Sequence, residues 1–309
     1  MRYRLQLYFR GMHWYSALAL LFPLMGTAQD LEKTLLWRIG STDGTASGYL
    51  YGTVHSKDDR AFQFGDSVLP ALDRCRVAAG ELDLDRSAQG GLALMTTMRM
   101  PDGQRLEDLY RKKDWKRVNA ALQEHMGFMA PMATRLKPFF VLMLLTENAM
   151  GGEQPAVLDE YLQLRAKEQG HRVIGIETMN EQIAALDAIT MKEQAAMLLD
   201  HVDHDGYPGE MDAMLDAYAA QDLEGLVEAA ERTGSMPDAM ERALLTDRNT
   251  RMVHRMDSVL RLGESVFFLI GAAHLPGPVG LIQGLRTQGY TVVPVMSVAT
   301  KPEGIEEER

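Results

Sequence analysis

Apolar residues gather into short runs at the two ends of the chain and into helix-spaced stripes between them. Leu35-Leu-Trp-Arg-Ile-Gly40 and Gly48-Tyr-Leu-Tyr-Gly52 are rich in large apolar side chains. They flank Ser41-Thr-Asp-Gly-Thr-Ala-Ser47, a turn-forming stretch, and so predict a hairpin. A polar loop follows His55. Asp66 to Arg74 then sets Val68, Leu69 and Leu72 on one helical face, with Asp66 or Ser67 as cap. Val77 to Asp85 predicts a strand. From about Ser87 to Leu262 the spacing is mostly helical, broken at Pro101-Asp-Gly103, Gly151-Gly152, Gly206-Tyr-Pro-Gly209 and Gly234-Ser-Met-Pro237. One strand, Arg172-Val-Ile-Gly-Ile176, interrupts it. Near the end, Ser265-Val-Phe-Phe-Leu-Ile270 is a continuous apolar run suited to a buried strand. Val279 to Gln288 reads as a helix and Tyr290-Thr-Val-Val-Pro-Val295 as a last strand.

Both ends therefore spell strand, G-x-x-H, loop, helix, strand, with Gly52-Thr-Val-His55 in the first unit and Gly271-Ala-Ala-His274 in the second. A unit that occurs only twice argues for a pseudo-duplicated core, not a solenoid. The expected fold is α+β: a mixed sheet built from the two units, capped by a mostly helical insertion over about 87–262. Residues 29–309 form one domain on this reading. The methionines of the insertion, Met95, Met98, Met100, Met126, Met129 and Met132 among them, suit core filling first and an adaptable apolar groove second.

Composition adds compartment and charge. Arg2, Arg4 and Arg10 precede an apolar stretch, Trp14 to Met25, that ends in Gly26-Thr-Ala28, the plan of a signal peptide cut after Ala28. The stretch falls short of the ~20 apolar residues of a membrane span. The chain is expected to be exported, to a periplasm or the outside, with no stable membrane span after cleavage. Loss of those three arginines takes the formal charge from −11 to −14. An acidic surface repels phosphate, so nucleic acid is an unsuited partner. The single Cys75 cannot form an internal disulfide, and its place at the end of an apolar helix pattern marks a buried structural thiol.

The chemistry gathers around the two histidines. Histidine supplies a neutral imidazole for zinc, manganese, iron or cobalt, or a proton-transfer group near neutrality. Gly52 and Gly271 lack side chains where another backbone or a ligand can approach closely. Alternation along Gly80-Glu-Leu-Asp-Leu-Asp85 puts Glu81, Asp83 and Asp85 on one face of a strand, with Glu81 closest to its apolar part. Glu177 leaves the strand at Arg172–Ile176, either as a site carboxylate or at the start of a solvent-facing helix. Arg248, followed by Asn249, opens an amphipathic segment and suits a carboxylate clamp, an oxyanion partner or an ordinary ion pair with Asp247. His201-Val-Asp-His-Asp205 offers a second, weaker metal pattern beside a Gly-Tyr-Pro-Gly turn.

Taken in order, Leu36-Trp-Arg-Ile, Tyr49-Leu-Tyr-Gly-Thr-Val-His55, Glu81, Gly175-Ile-Glu-Thr-x-x-Glu-Gln182, Asp247-Arg-Asn249 and Gly271-Ala-Ala-His-Leu-Pro-Gly277 with Gly289-Tyr290 resemble the TraB/GumN family, which includes the Tiki metalloproteases. The resemblance runs from about Leu35 to Val295. It departs at Ile176, which stands where the family's Gly-Leu-Glu-Thr motif has leucine. The resemblance implies a metal-dependent hydrolase, a peptidase first, using a divalent ion (manganese, cobalt or zinc) held by His55, His274 and Glu81. It casts Glu177 as general base or support, and Arg248 with Asn249 as substrate-orienting or oxyanion-stabilising groups. The substrate is then a peptide or small molecule. The alternatives are a non-catalytic exported protein that captures a peptide, haem or metal in the same cleft, or a hydrolase of non-peptide esters. No H-E-x-x-H helix is present, which excludes an ordinary zincin.

Overall fold

A computed structural model describes residues 31–85, 96–150, 152–233 and 238–297. The signal-peptide reading of 1–28, Met95 and the acidic tail from Glu303 lie outside those residues.

The hairpin forms as the sequence predicts. Strands β1 (Leu36–Gly40) and β2 (Ser47–Thr53) pair antiparallel, with Leu36 opposite Tyr51 and Gly40 opposite Ser47. Helix α1 (Val68–Asp73) leads from β2 to β3 (Val77–Gly80), and β4 is Arg172–Gly175. Ser67 stands at the cap position of α1, but its hydroxyl bonds Asp66 and not the helix backbone, so the expected cap is absent. Strands β5 (Val266–Gly271) and β6 (Thr291–Pro294) close the chain.

The six strands form one mixed sheet in the order β4-β3-β5-β2-β1-β6. β5 is parallel to both β2 and β3, β3 is parallel to β4, and β1 runs against its two neighbours. β5 lies at the centre, and every residue of it but the last is buried because neighbours cover both faces. Trp37, Leu50, Tyr51, Phe267 and Phe268 fill the main core. Burial pushes the Cys75 thiol up to about 12, the behaviour of an inert structural cysteine.

The two repeated units leave the sheet in opposite directions. From β2 the chain passes over β5 to reach β3, whereas from β5 it passes over β2 and β1 to reach β6. The boundary between β2 and β5 is thus a topological switch point. In parallel sheets such a point opens a crevice at the carboxyl ends of the strands, where ligands bind.

Between β3 and β5 lie the helices of the insertion, in chain order α2 (Lys112–Met126), α3 (Pro138–Met150), α4 (Leu158–Glu168), α5 (Met179–Asp187), α6 (Met191–Asp203), α7 (Pro208–Ala219), α8 (Leu223–Arg232) and α9 (Asp247–Leu260). Helix α10 (Leu281–Thr287) joins β5 to β6. Leu106, Val118, Leu122, Val141, Leu145 and Leu198 build a second core within the insertion. Met100 is buried, in keeping with core filling, whereas Met98 and Met132 line an open groove. Among the described residues no helix is long and apolar enough to cross a membrane.

Candidate functional site

Four adjacent parallel strands end at one edge of the sheet, and each delivers one candidate side chain just beyond its carboxyl end. β4 ends at Gly175 and leads to Glu177. β3 ends at Gly80 and leads to Glu81. β5 ends at Gly271 and leads to His274, and β2 ends at Thr53 and leads to His55. The edge is stepped: Gly80 lies opposite Gly175 and Thr53 opposite Gly271, but Gly80 also lies opposite Leu269, so β2 and β5 run two residues beyond β3 and β4. Backbone bonds continue past the strands, from Glu81 N–H to the Leu269 carbonyl and from Glu177 N–H to the Glu81 carbonyl at 2.7 Å.

Strand β3 is shorter than the expected Val77–Asp85. Beyond Gly80 the chain bends and starts a helical turn at Leu84, so Glu81, Asp83 and Asp85 do not share a strand face. Glu81 turns inward, while Asp85 pairs with Lys167 at the surface.

The Glu81 carboxylate is held on every side. Its Oε1 accepts from Gly271 N–H at 2.8 Å, and its Oε2 accepts from Arg248 Nη2 at 2.6 Å and Gln182 Nε2 at 3.1 Å. A Cβ at position 271 would stand 3.0 Å from Glu81 Oε1, so glycine there makes the room the carboxylate needs. Burial pushes the Glu81 carboxyl up, but the His274 imidazole, the Arg248 guanidinium and the Gly271 N–H outweigh it, and the net shift is downward.

Glu177 is wholly buried and receives Arg248 through Nε at 2.9 Å and Nη2 at 2.6 Å. Its Oε1 has no hydrogen-bond partner, and Arg251 Nη2 stands 3.5 Å away. Helix α9 organises this. Arg248, Arg251 and Arg255 recur at i, i+3 and i+7 on one face, and Arg255 pairs with Glu181 of α5 at 2.5 Å. A π-helical turn, Arg242–Thr246, precedes α9, and its Leu244 carbonyl accepts from Arg248 Nη1 at 3.3 Å. Arg248 thus bridges Glu81 and Glu177 instead of pairing with Asp247.

Asn249, the next residue, fixes His274. Its Oδ1 lies 2.6 Å from His274 Nδ1, and its Nδ2 donates to the Val279 carbonyl at 2.9 Å. An amide oxygen only accepts, so His274 carries its proton on Nδ1 and leaves Nε2 with a free lone pair. That Nε2 stands 3.8 Å from Glu81 Oε1. Burial lowers the His274 pKa, opposed by Glu81 and aided by Arg248, which keeps the imidazole neutral.

His55 is arranged differently. More than half of its side chain is exposed, and its Nδ1 lies 3.9 Å from Asp159 Oδ2. Asp159, in the first turn of α4, also accepts from Thr53 Oγ1 at 2.6 Å. Asp159 raises the His55 pKa against the effect of burial, with Glu147 and Glu81 adding smaller pulls. Tyr218 of α7 holds the strand end by donating to the Gly52 carbonyl at 2.8 Å.

Glu81, Glu177 and Arg248 therefore form one bonded cluster, the Asn249–His274 pair stands beside it with Nε2 3.8 Å from Glu81, and His55 approaches from the neighbouring strand without joining either. Among the described residues no group of three His, Cys, Asp and Glu side chains stands in ligating geometry. The chemistry of the donors at the centre still suits a divalent ion: a neutral imidazole with a free Nε2 beside a carboxylate oxygen, the imidazole oriented through its other nitrogen. The His201–Asp205 pattern instead forms the end of helix α6, to Asp203, and the start of the turn after it. His204 stacks on Tyr207 at 4.7 Å and pairs with the Asp200 carbonyl, which occupies its Nδ1.

Asp159, Gln182 and Arg251 carried no role in the sequence reading. Gln182 lies within the Gly-Ile-Glu-Thr-x-x-Glu-Gln motif, and Arg251 is marked by its helical spacing from Arg248. Nothing in the sequence ties Asp159 to His55, since a fold contact alone joins them.

The model of the TraB/PrgY/gumN family matches residues 35–294, the whole span from β1 to β6. The chain belongs to this family. A metalloprotease TIKI homologue of Nematostella vectensis is 23% identical, with 88% of this chain and 70% of that protein covered. Metalloprotease TIKI2 of Danio rerio is 21% identical over 91% of this chain and 67% of its own length. Metalloprotease TIKI1 of the same organism is 23% identical, with 86% and 64% covered. No solved structure matches.

Proposed function

We propose that this TraB/PrgY/gumN protein is an exported metal-dependent hydrolase, a peptidase in kind, whose divalent ion is held by His274, Glu81 and His55. The observation that supports this most is the delivery of two histidines and two glutamates to the carboxyl ends of four adjacent parallel strands at the switch point of the sheet, with His274 neutral and its Nε2 free. The names of the relatives, all metalloproteases, point the same way. The ion is manganese, cobalt or zinc by donor type.

When bound, such an ion polarises a carbonyl and makes a water nucleophilic near neutrality. The protein's own groups have separate tasks. Asn249 sets the His274 tautomer. Arg248 orients Glu81, and Glu177, wholly buried against two arginines, holds Arg248 in place. That burial makes Glu177 a positioning residue and not the general base. Asp159, 3.9 Å from His55 Nδ1, favours the charged imidazole there but holds it more loosely than Asn249 holds His274.

The reading is tested by incubating metal-loaded protein with a peptide library and a set of non-peptide esters, beside Glu81→Ala. Peptide cleavage that Glu81→Ala abolishes supports a peptidase. Tight binding without turnover assigns the cleft to capture, and turnover of esters alone assigns it to ester hydrolysis.

A further inference from the structure

We propose that the apolar groove beside His55 is a substrate subsite for a short apolar peptide, whose free C-terminal carboxylate is held by Arg99, Arg105 and Arg135. The proposal rests on the hydrolase reading for where the peptide is cut, but not for how it is held.

The groove encloses about 830 Å³, within the range of sites that take small ligands and short peptides. Met132, Leu136, Phe139, Phe140, Met143 and Leu144 supply its apolar wall. Met132, Met143 and Leu144 are well exposed, as are Phe128 and Met129 earlier in the same segment. Exposed apolar side chains gathered in this way mark a binding face more often than chance scatter. Methionine adapts its shape to varied apolar partners.

Arg99, Arg105 and Arg135 all line the groove. Arg99 and Leu136 form a β-bridge, Met100 N–H donates to the Arg135 carbonyl at 2.8 Å, and Leu106 N–H donates to the Thr134 carbonyl at 2.9 Å. The three cations are therefore carried by segments tied through their backbones. Arg105 has one loose partner, Glu107 at 3.5 Å, and no ion pair joins Arg99 or Arg135 to any of the described residues. Three cations grouped at an apolar wall, in a chain of net charge −11, complement an anion attached to an apolar body. Arginine forks grip a carboxylate with paired bonds.

The groove also reaches the candidate site at His55. Helix α3 runs along the groove, with Arg135 just before its start and Glu147 near its end, where the Glu147 charge acts on His55. The nine steps from Pro138 to Glu147 rise about 14 Å, the length of about four residues of extended chain at ~3.3 Å each. A peptide anchored by its carboxylate at the arginines thus presents an amide bond about four residues from its C terminus to His55. A fatty acid shares the anion and the apolar body but offers no bond to hydrolyse there.

The test uses the full chain stripped of metal by a chelator, with fluorescence anisotropy of an N-terminally labelled apolar pentapeptide in free-acid and C-terminal amide forms. The free acid is expected to bind about tenfold more tightly than the amide, in line with loss of a charge-assisted pair. Arg135→Gln should remove that preference, and Met143→Glu should weaken both forms. Equal binding of acid and amide, binding of neither, or displacement by palmitate at lower concentration than by unlabelled peptide would each overturn the proposal. Because no metal is present, an acid preference in a protein that later proves unable to hold metal keeps the groove and removes the hydrolase reading alone.

Discussion

His274 keeps 6% of its side chain in solvent and has Nδ1 2.6 Å from Asn249, whereas His55, at the same place in the companion unit, keeps 59% and stands 3.9 Å from Asp159. The two motifs share a strand, a glycine and a spacing. What differs is the covering. Helix α9 lies over the β5 edge and brings Arg248 and Asn249 into contact with it, whereas the β2 edge opens to the groove at His55 and is held by Tyr218 of α7 and Asp159 of α4. One half of the duplicated core has become a buried, charge-compensated centre, and the other faces an open groove. Duplication of a motif thus does not duplicate its environment, and the division suits a site that needs one fixed ligand set and one accessible side.

The largest effect is expected at the buried half. Arg248→Ala leaves the Glu81 and Glu177 carboxylates without their shared cation, one of them wholly buried. It should cost about 3–5 kcal/mol in urea denaturation, as for other broken buried pairs. Asn249→Ala strips His274 Nδ1 and the Val279 carbonyl of partners, which predicts a loss of about 1–3 kcal/mol. The same change should weaken divalent metal binding by about 10–100-fold in calorimetric titration.

Further out on the same helix face, Glu181 is held at about 2, first by Arg255, against burial and with help from Thr178. A carboxyl whose folded value lies below its ordinary 4.5 contributes stability that is whole above that value and is lost as pH falls towards 2. Glu181→Gln should therefore cost about 1 kcal/mol at neutral pH. The gap from wild type should close between about pH 4.5 and 2 in denaturation curves. The smallest effect belongs to the open half: His55→Ala, at a mostly solvated histidine, should change stability by about 0.5 kcal/mol or less. If His55→Ala instead costs as much as Asn249→Ala, the two halves are more alike than their burial indicates.

The ends of the fold were the most legible in the sequence, because a strand buried on both faces, such as Val266–Gly271, reads as an unbroken apolar run. The overrun at β3 has a physical source. Alternation of Leu82 and Leu84 with acids mimics a strand, but pairing with β4 ends at Gly80 opposite Gly175 and nothing extends the ladder across 82–85. The inward turn of Glu81 depends on Gly271 N–H and Arg248, which lie far away in sequence. His274, Arg248 and Asn249 could be singled out from motifs, but their division of labour could not, since it arises from the register of α9 over β5. The role of Glu177 as a clamp on Arg248 became readable only from its complete burial.

The central claim is that the strand edge carrying His274, Glu81 and His55 holds a divalent ion. The most direct measurement is the metal content of the purified full chain by mass spectrometry after loading with manganese, cobalt or zinc and exhaustive dialysis, beside the His55→Ala, His274→Ala double variant. The account predicts about one equivalent in the wild type and none in the double variant. Equal metal content in the two proteins would contradict it.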